Sequence, residues 1–166
     1  MRRLLLASPV GPLLAEYDDA GVRALRFWRQ GEHPPAGTRD EPAPGDALGR
    51  QLARELKEYF AGERRDFSLP LAAEGTVFQR SVWEALCRIP FGGTRSYGQL
   101  ALEMGKPHAS RAIGQANARN PLPIVVPCHR VVAADGGLGG YMGDWEEGRG
   151  TAIKRWLLTH EGAPVR

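Results

Sequence analysis

Prolines at 121, 123 and 127 punctuate the run Asn120-Pro-Leu-Pro-Ile-Val-Val-Pro-Cys-His-Arg-Val-Val132. A proline lacks the backbone donor and restricts the residue before it, so no α-helix can pass through this stretch. The spacing predicts an extended, stiff track that delivers Cys128 against His129 and Arg130. A thiol beside an imidazole and a guanidinium ionises more readily, which makes Cys128 a candidate nucleophile. Free cysteines are also among the most buried residues, so a packed structural thiol is the plainer alternative. The flanking basic pair favours the nucleophile.

On either side of that track the chain reads as two different kinds of structure. Residues 2–7, 12–17 and 22–28 alternate apolar and polar positions around the turn signals Gly11-Pro12 and Asp18-Asp19-Ala20-Gly21, which predicts three short antiparallel strands. Gly31 to Gly45, rich in Pro and Gly, reads as a loop. From Asp46, an N-cap residue, Leu48, Leu52, Leu56, Tyr59 and Phe60 recur at helical spacing up to Gly62. Phe67 to Ala73 is a strand or a linker, and a second domain begins after Glu74. That half opens with a helix from Thr76 to about Arg88, on which Cys87 is expected to pack with Trp83. A short helix capped by Ser96 and ended by Gly105 follows, then another from about His108 to Ala118. Two short helices across a Gly-containing turn match a helix-turn-helix. The second is built of small residues, Ala109, Ser110, Ala112, Gly114, Ala116 and Ala118, with Arg111 as its one long cation. That composition suits either a tightly packed interior helix or shallow insertion into a minor groove. The fold class is therefore α+β, with a small N-terminal α/β domain over 1–74 and a mostly helical domain over 75–166.

Charge separates the halves as well. Residues 1–74 carry a net −1 and residues 75–166 a net +4, and from Met104 to Ala134 there is no carboxylate while Lys106, Arg111, Arg119 and Arg130 are present. This is a modest footprint for a polyanion, although a solvated basic face would look similar. The chain has two cysteines, Cys87 and Cys128, too few for a disulfide framework or a four-cysteine zinc site. A free thiol fits the reducing cytoplasm. No apolar run approaches the ~20 residues of a membrane span, and the apolar stretch at the start is too short for a signal peptide.

The chain resembles the O6-alkylguanine-DNA alkyltransferase family, the methylated-DNA–protein-cysteine methyltransferases. Pro127-Cys128-His129-Arg130 matches that family's signature, preceded by Ile124-Val125-Val126. Ser96-Tyr97, Arg111-Ala112-Ile113-Gly114, Asn120-Pro121, Gly140-Tyr141 and Leu157-Leu158-Thr159-His160-Glu161-Gly162 match in the same order. The resemblance covers residues 70–162 closely and the first seventy in outline. It implies a ribonuclease-H-like N-terminal domain, then a helical, winged-helix-like domain that binds double-stranded DNA through the minor groove, as a monomer and without a cofactor. It further implies that Cys128 accepts the alkyl group, that His129 is its base through a water, and that Glu161 orients the histidine. Asn120 corresponds to a hinge, Tyr97 to the residue that turns the target phosphate and contacts the flipped base, and Arg111 to the finger that fills the vacated stack. Ser110, Ala112, Gly114 and Arg119 fall on the DNA-facing helix. Val131, Tyr141 and Met142 fall at the base pocket.

Two departures and two rival functions follow from the same residues. Members that hold zinc in the N-terminal domain use cysteines and histidines, whereas this half has only His33, so no metal is expected. Met142 replaces a common serine and is expected to alter the pocket. A DNA-binding sensor without chemistry is one rival, opposed by the presence of Cys128. A cysteine hydrolase using Cys128, His129 and Glu161 is the other.

Overall fold

The computed structural model describes residues 1–141 and 148–165. The chain divides into two compact units, Met1–Glu74 and Gly75–Arg166.

In the first unit, strands β1 (Arg2–Leu6), β2 (Leu13–Asp18) and β3 (Gly21–Phe27) form an antiparallel sheet in sequence order. Each outer edge is covered at one isolated bridge. Arg39 pairs beside β1, with Leu5 N donating to Arg39 O at 2.9 Å, and the Pro70–Ala72 segment pairs beside β3 through Val22 N to Pro70 O at 2.8 Å and Ala72 N to Val22 O at 2.9 Å. These bridges shorten the edge that each outer strand leaves unpaired. The second contact demands glycine at position 21, where φ is +144° and a β-carbon would come within 2.5 Å of Pro70 O. The stretch 67–73 is thus a linker with a single bridge at Leu71 rather than a full strand.

Helix α1 (Ala47–Phe60) buries Leu52, Leu56 and Tyr59. Asp46 begins it, accepting from Gly49 N at 2.9 Å, from Tyr17 Oη at 2.7 Å and from Arg2 Nη1 at 2.8 Å. The carboxylate is therefore both a helix cap and the acceptor for a buried phenol. Asp46→Ala would remove the cap and leave the Tyr17 hydroxyl buried without a partner, so a loss of about 2–4 kcal/mol is expected. Urea denaturation checks this: the midpoint should fall with an unchanged slope.

The second unit is helical. Helix α2 (Val77–Cys87) starts on a reciprocal Thr76/Gln79 capping box and α3 (Tyr97–Glu103) on a Ser96/Gln99 box. Gly105, at φ +69°, lets the chain leave α3. Helix α4 runs Ser110–Ala118, two residues later than the sequence suggests, because Ala109 N closes a turn onto Lys106 O first. Trp83 Nε1 on α2 donates to Ala116 O on α4 at 3.0 Å, which locks these two helices together. Cys87, expected to pack with Trp83, is exposed. The buried face of α2 consists of Val82, Trp83, Ala85 and Leu86, and position 87 falls past its edge on the final turn. Strands β4 (Arg95–Ser96) and β5 (Val131–Val132) pair in parallel, and α5 (Arg149–His160) completes the described part of this unit. Among the described residues, no helix is long and apolar enough to cross a membrane.

Candidate active site

The proline track is not extended, contrary to the expectation from its prolines. Asn120 folds it into turns: its Oδ1 accepts from Leu122 N at 3.0 Å and its Nδ2 donates to Val126 O at 2.8 Å, while Val126 N bonds Leu122 O at 2.8 Å. Ile124 sits inside this knot at φ +74° and is buried. A β-branched residue there is strained, and the bonds made by Asn120 on either side hold it. After Pro127 the chain makes one 3₁₀ turn, Cys128–Arg130, and enters β5. Pairing of β5 with β4 sets Val132 opposite Ser96, the cap of α3, so Tyr97 starts its helix next to the strand that follows Cys128.

Within that turn all three side chains are buried. His129 Nε2 lies 2.8 Å from Glu161 Oε2, and Arg130 holds the same carboxylate in a fork, Nε to Oε1 at 2.8 Å and Nη2 to Oε2 at 3.0 Å. Arg130 Nη1 also donates to Ile89 O at 2.7 Å. Burial alone would raise the Glu161 carboxyl, but the hydrogen bonds and charges of His129 and Arg130 overcome it and hold the group well below the usual carboxylate range. An ionised carboxylate only accepts, so Nε2 of His129 must carry the hydrogen and Nδ1 must present its lone pair. Nδ1 is buried and has no protein partner among the described residues. Burial also lowers the pKa of His129, against the pull of Glu161, which favours the neutral imidazole. The histidine is thus set up as a base at one defined nitrogen.

The environment of Cys128 corrects the sequence reading. Burial pushes its thiol up, and the groups that pull it down are the side chains of Asn120 and Tyr141 and the charge of Lys154. The adjacent guanidinium does not have that role, because it is turned onto Glu161. Lys154 was not legible as a site residue, although a lysine between Ile153 and Leu157 on a helix breaks an apolar face. It is fully buried.

The DNA-facing candidates lie on a different part of the unit. Tyr97, Ser110, Arg111, Gly114, Gln115 and Ala118 line a depression of about 420 Å³ between α3 and α4. Arg111, Ala112 and Arg119 are exposed, although Ala112 and Arg119 are not part of that lining. A methyl at Gly114 would sit 3.7 Å from the Tyr97 ring, an ordinary contact, so the helix surface there is flat rather than crowded. Val131 and Tyr141 are buried beside Cys128, whereas Met142 lies outside the described residues. Depressions of similar volume lie on α5 and in the first unit, so size does not single out the one between α3 and α4. Among the described residues no cluster of three or more His, Cys, Asp or Glu side chains could hold a metal.

Residues 77–163 match the 6-O-methylguanine DNA methyltransferase DNA binding domain, and residues 1–73 match the ribonuclease-like domain of the same family. A methylated-DNA–protein-cysteine methyltransferase of Methanosarcina acetivorans is 43% identical over 96% of this chain and 97% of its own length. The constitutive enzyme of that name from Bacillus subtilis is 45% identical over 93% and 91%. The crystal structure of the Mycobacterium tuberculosis O6-methylguanine methyltransferase superposes with a TM-score of 0.81 at 38% identity, over 99% of this chain and 96% of that one. A structure of the M. tuberculosis protein in complex with DNA gives 0.80 at 39% identity, with the same coverage. With both units matched and the relatives aligned along nearly their whole length, the chain belongs to the 6-O-methylguanine DNA methyltransferase family.

Proposed function

We propose that this protein repairs DNA by taking the alkyl group, mainly methyl, from O6-alkylguanine onto Cys128, once per molecule. The observation that carries the reading is the buried thiol followed in the chain by a buried histidine whose Nε2 is held by the Glu161 carboxylate, which leaves Nδ1 without a protein partner among the described residues. In the proposed reaction His129 Nδ1 takes the thiol proton, by the water relay that family resemblance implies. Sulfur then attacks the alkyl carbon, the C–S bond forms, the C–O6 bond breaks with its electron pair left on guanine O6, and a proton taken up at N1, balancing the one lost by the thiol, restores the ordinary lactam. The product is a thioether, which water does not readily cleave, so the protein is consumed. A cysteine hydrolase would instead pass through a thioester and turn over.

O6 is held in the base pair on its major-groove edge, so a protein seated in the minor groove reaches it only after the target is extruded into the pocket. In this reading α3 and α4 act as the helix-turn-helix of a monomer, α4 lies in the minor groove, Tyr97 contacts the turned phosphate and flipped base, and Arg111 fills the gap. Lys106, Arg111 and Arg119, all exposed on a stretch free of carboxylates, support a phosphate-facing surface. An acceptor that must stay a free thiol suits a reducing compartment, and in this reading the protein works in the cytoplasm. Incubation with duplex DNA containing O6-methylguanine, followed by intact-protein mass, tests the function. One methylene added per molecule, mapped to Cys128, is expected, and repeated turnover or an unmodified protein would sink the reading.

Arg111→Ala separates a wedge from a phosphate contact. As a wedge, its loss should slow transfer on duplex DNA by about tenfold or more while barely affecting a single strand, where there is no stack to hold open. A phosphate contact would instead weaken binding uniformly and reduce the salt slope by about one.

A further inference from the structure

Asn117, in the last turn of α4, is buried, and its Nδ2 donates to Cys128 O at 3.4 Å. A carbonyl oxygen only accepts, so this contact fixes which way the amide lies: the NH₂ faces the backbone of the nucleophile and Oδ1 occupies the other branch. Oδ1 is itself buried and has no hydrogen-bond partner among the described residues. A buried acceptor left unpaired costs about 1–3 kcal/mol, so its presence needs a reason. His129 Nδ1, unpartnered in the same way, has its reason in the transfer chemistry, whereas that chemistry makes no use of Asn117.

The amide is held on rigid elements. Trp83 Nε1 donates to the carbonyl of the preceding residue, Ala116, at 3.0 Å, and Asn120, which ties the knot leading to Cys128, follows in the chain. Around it stand the two groups that the proposed function brings to the base. Burial raises the Tyr97 phenol, the charge of Cys128 adds to the rise, and hydrogen bonding with Asn117 lowers it, so tyrosine, sulfur and amide share one neighbourhood. The lesion supplies what Oδ1 lacks. Alkylation at O6 leaves N1 without a hydrogen, so the 2-amino group is the one donor on the Watson–Crick edge of O6-alkylguanine, the edge by which flipped bases are read. O4-alkylthymine loses its N3 hydrogen in the same way and has no donor on that edge.

We infer that Asn117 is a specificity-determining residue for the base: in the extruded complex its Oδ1 accepts a hydrogen bond from the 2-amino group of O6-alkylguanine, which favours that lesion over an alkylated base without the group. This rests on the alkyl-acceptor reading of Cys128 with an extruded target. Cys128 is as closed off as Asn117, so the opening that admits the base to the sulfur is also the one that brings it to the amide. A site with a buried acceptor discriminates strongly against an analogue that lacks the donor, because the acceptor then stays unpaired.

The test uses the full chain with saturating duplexes that carry O6-methylguanine or O6-methylhypoxanthine, which differ only in the 2-amino group. Single-turnover rates are read by intact-protein mass. The parent should transfer about tenfold or more slowly from O6-methylhypoxanthine, even though loss of the amino group weakens the base pair and eases extrusion. Asn117→Leu keeps the shape and removes the acceptor; it should slow transfer from O6-methylguanine about tenfold and bring the two rates within about twofold of each other. A merely structural role would slow both lesions equally and leave the ratio unchanged, and that result would overturn the inference, as would equal rates in the parent. Should Asn117→Leu fail to fold, Asn117→Ala carries the same readout, and failure of both would make Asn117 a residue of the fold alone and overturn the inference too. In Cys128→Ser, where chemistry is removed, the same preference is read as affinity, about threefold or more in favour of the O6-methylguanine duplex. No transfer in the parent alongside that binding preference sinks the functional reading and leaves Asn117 its role, whereas transfer without either preference sinks the role of Asn117 alone.

Discussion

Cys128→Ser is expected to abolish alkyl transfer, by at least about a thousandfold, while leaving affinity for duplex DNA within about twofold. The hydroxyl is far less acidic than a thiol, and this site raises the pKa of its nucleophile by burial before any compensation. A neutral imidazole at His129 can accept a proton from sulfur but is too weak a base to generate an alkoxide in the same surroundings. Serine occupies nearly the same volume, and the knot is held by bonds of Asn120 to Leu122 and Val126 that do not involve the sulfur, so the structure around the site should stand. Cys128 is buried, whereas the cationic side chains offered to phosphate, Lys106, Arg111 and Arg119, are exposed on α4 and its flanks, so binding should not depend on the sulfur. Single-turnover mass spectrometry together with a binding titration reads both quantities. Transfer that persists in the variant with the label on Cys87, which is exposed at the end of α2, would move the acceptor and remove the central assignment.

Local chemistry was legible in the sequence wherever the controlling interaction is itself local. The strand pattern, the Asp46, Thr76 and Ser96 caps and the Gly105 exit are each decided within a few residues, and the structure contains each of them. What the sequence could not show is which residue covers which. Arg130 stands beside Cys128 in the chain, yet its guanidinium spans to Glu161, 31 positions away, and so leaves the thiol to Lys154, Asn120 and Tyr141. The three prolines forbid an α-helix, but whether they leave an extended track or a set of turns depends on the Asn120 side chain reaching Val126, an interaction that proline spacing does not encode. Lys154 becomes visible as a site residue only when α5 is laid against β5, across 23 positions. Cys87 failed for a related reason: helical spacing predicts a face but not where the neighbouring helix stops covering it.

Glu161→Gln should damage both stability and rate, and the geometry says in what way. Oε2 accepts from His129 and Arg130, and Oε1 from Arg130 Nε. A glutamine has one acceptor, and it does least harm at the Oε2 position, where it still serves two donors. Its NH₂ then faces Arg130 Nε, donor against donor, and the guanidinium remains buried without a counter-charge. Breaking a buried pair in this manner typically costs about 3–5 kcal/mol. The His129 tautomer is preserved in that orientation, so the base stays at Nδ1, but the negative charge that would stabilise the imidazolium as the thiol proton arrives is gone. A rate loss of about tenfold to a hundredfold follows, smaller than if the tautomer had been reversed. The pH dependence separates this role from that of a surface carboxylate. Glu161 is held well below its ordinary value of 4.5, so its stabilisation is fully present above about pH 4.5 and is lost as the pH falls through that value toward the folded one. Urea midpoints measured from pH 3 to 7 should therefore drop in the acid range for the parent and show a correspondingly shallower drop for Glu161→Gln, which has no such carboxyl to protonate. Parallel acid limbs in the two proteins, with an unchanged transfer rate at pH 7, would mean that the carboxylate neither holds Arg130 nor orients His129.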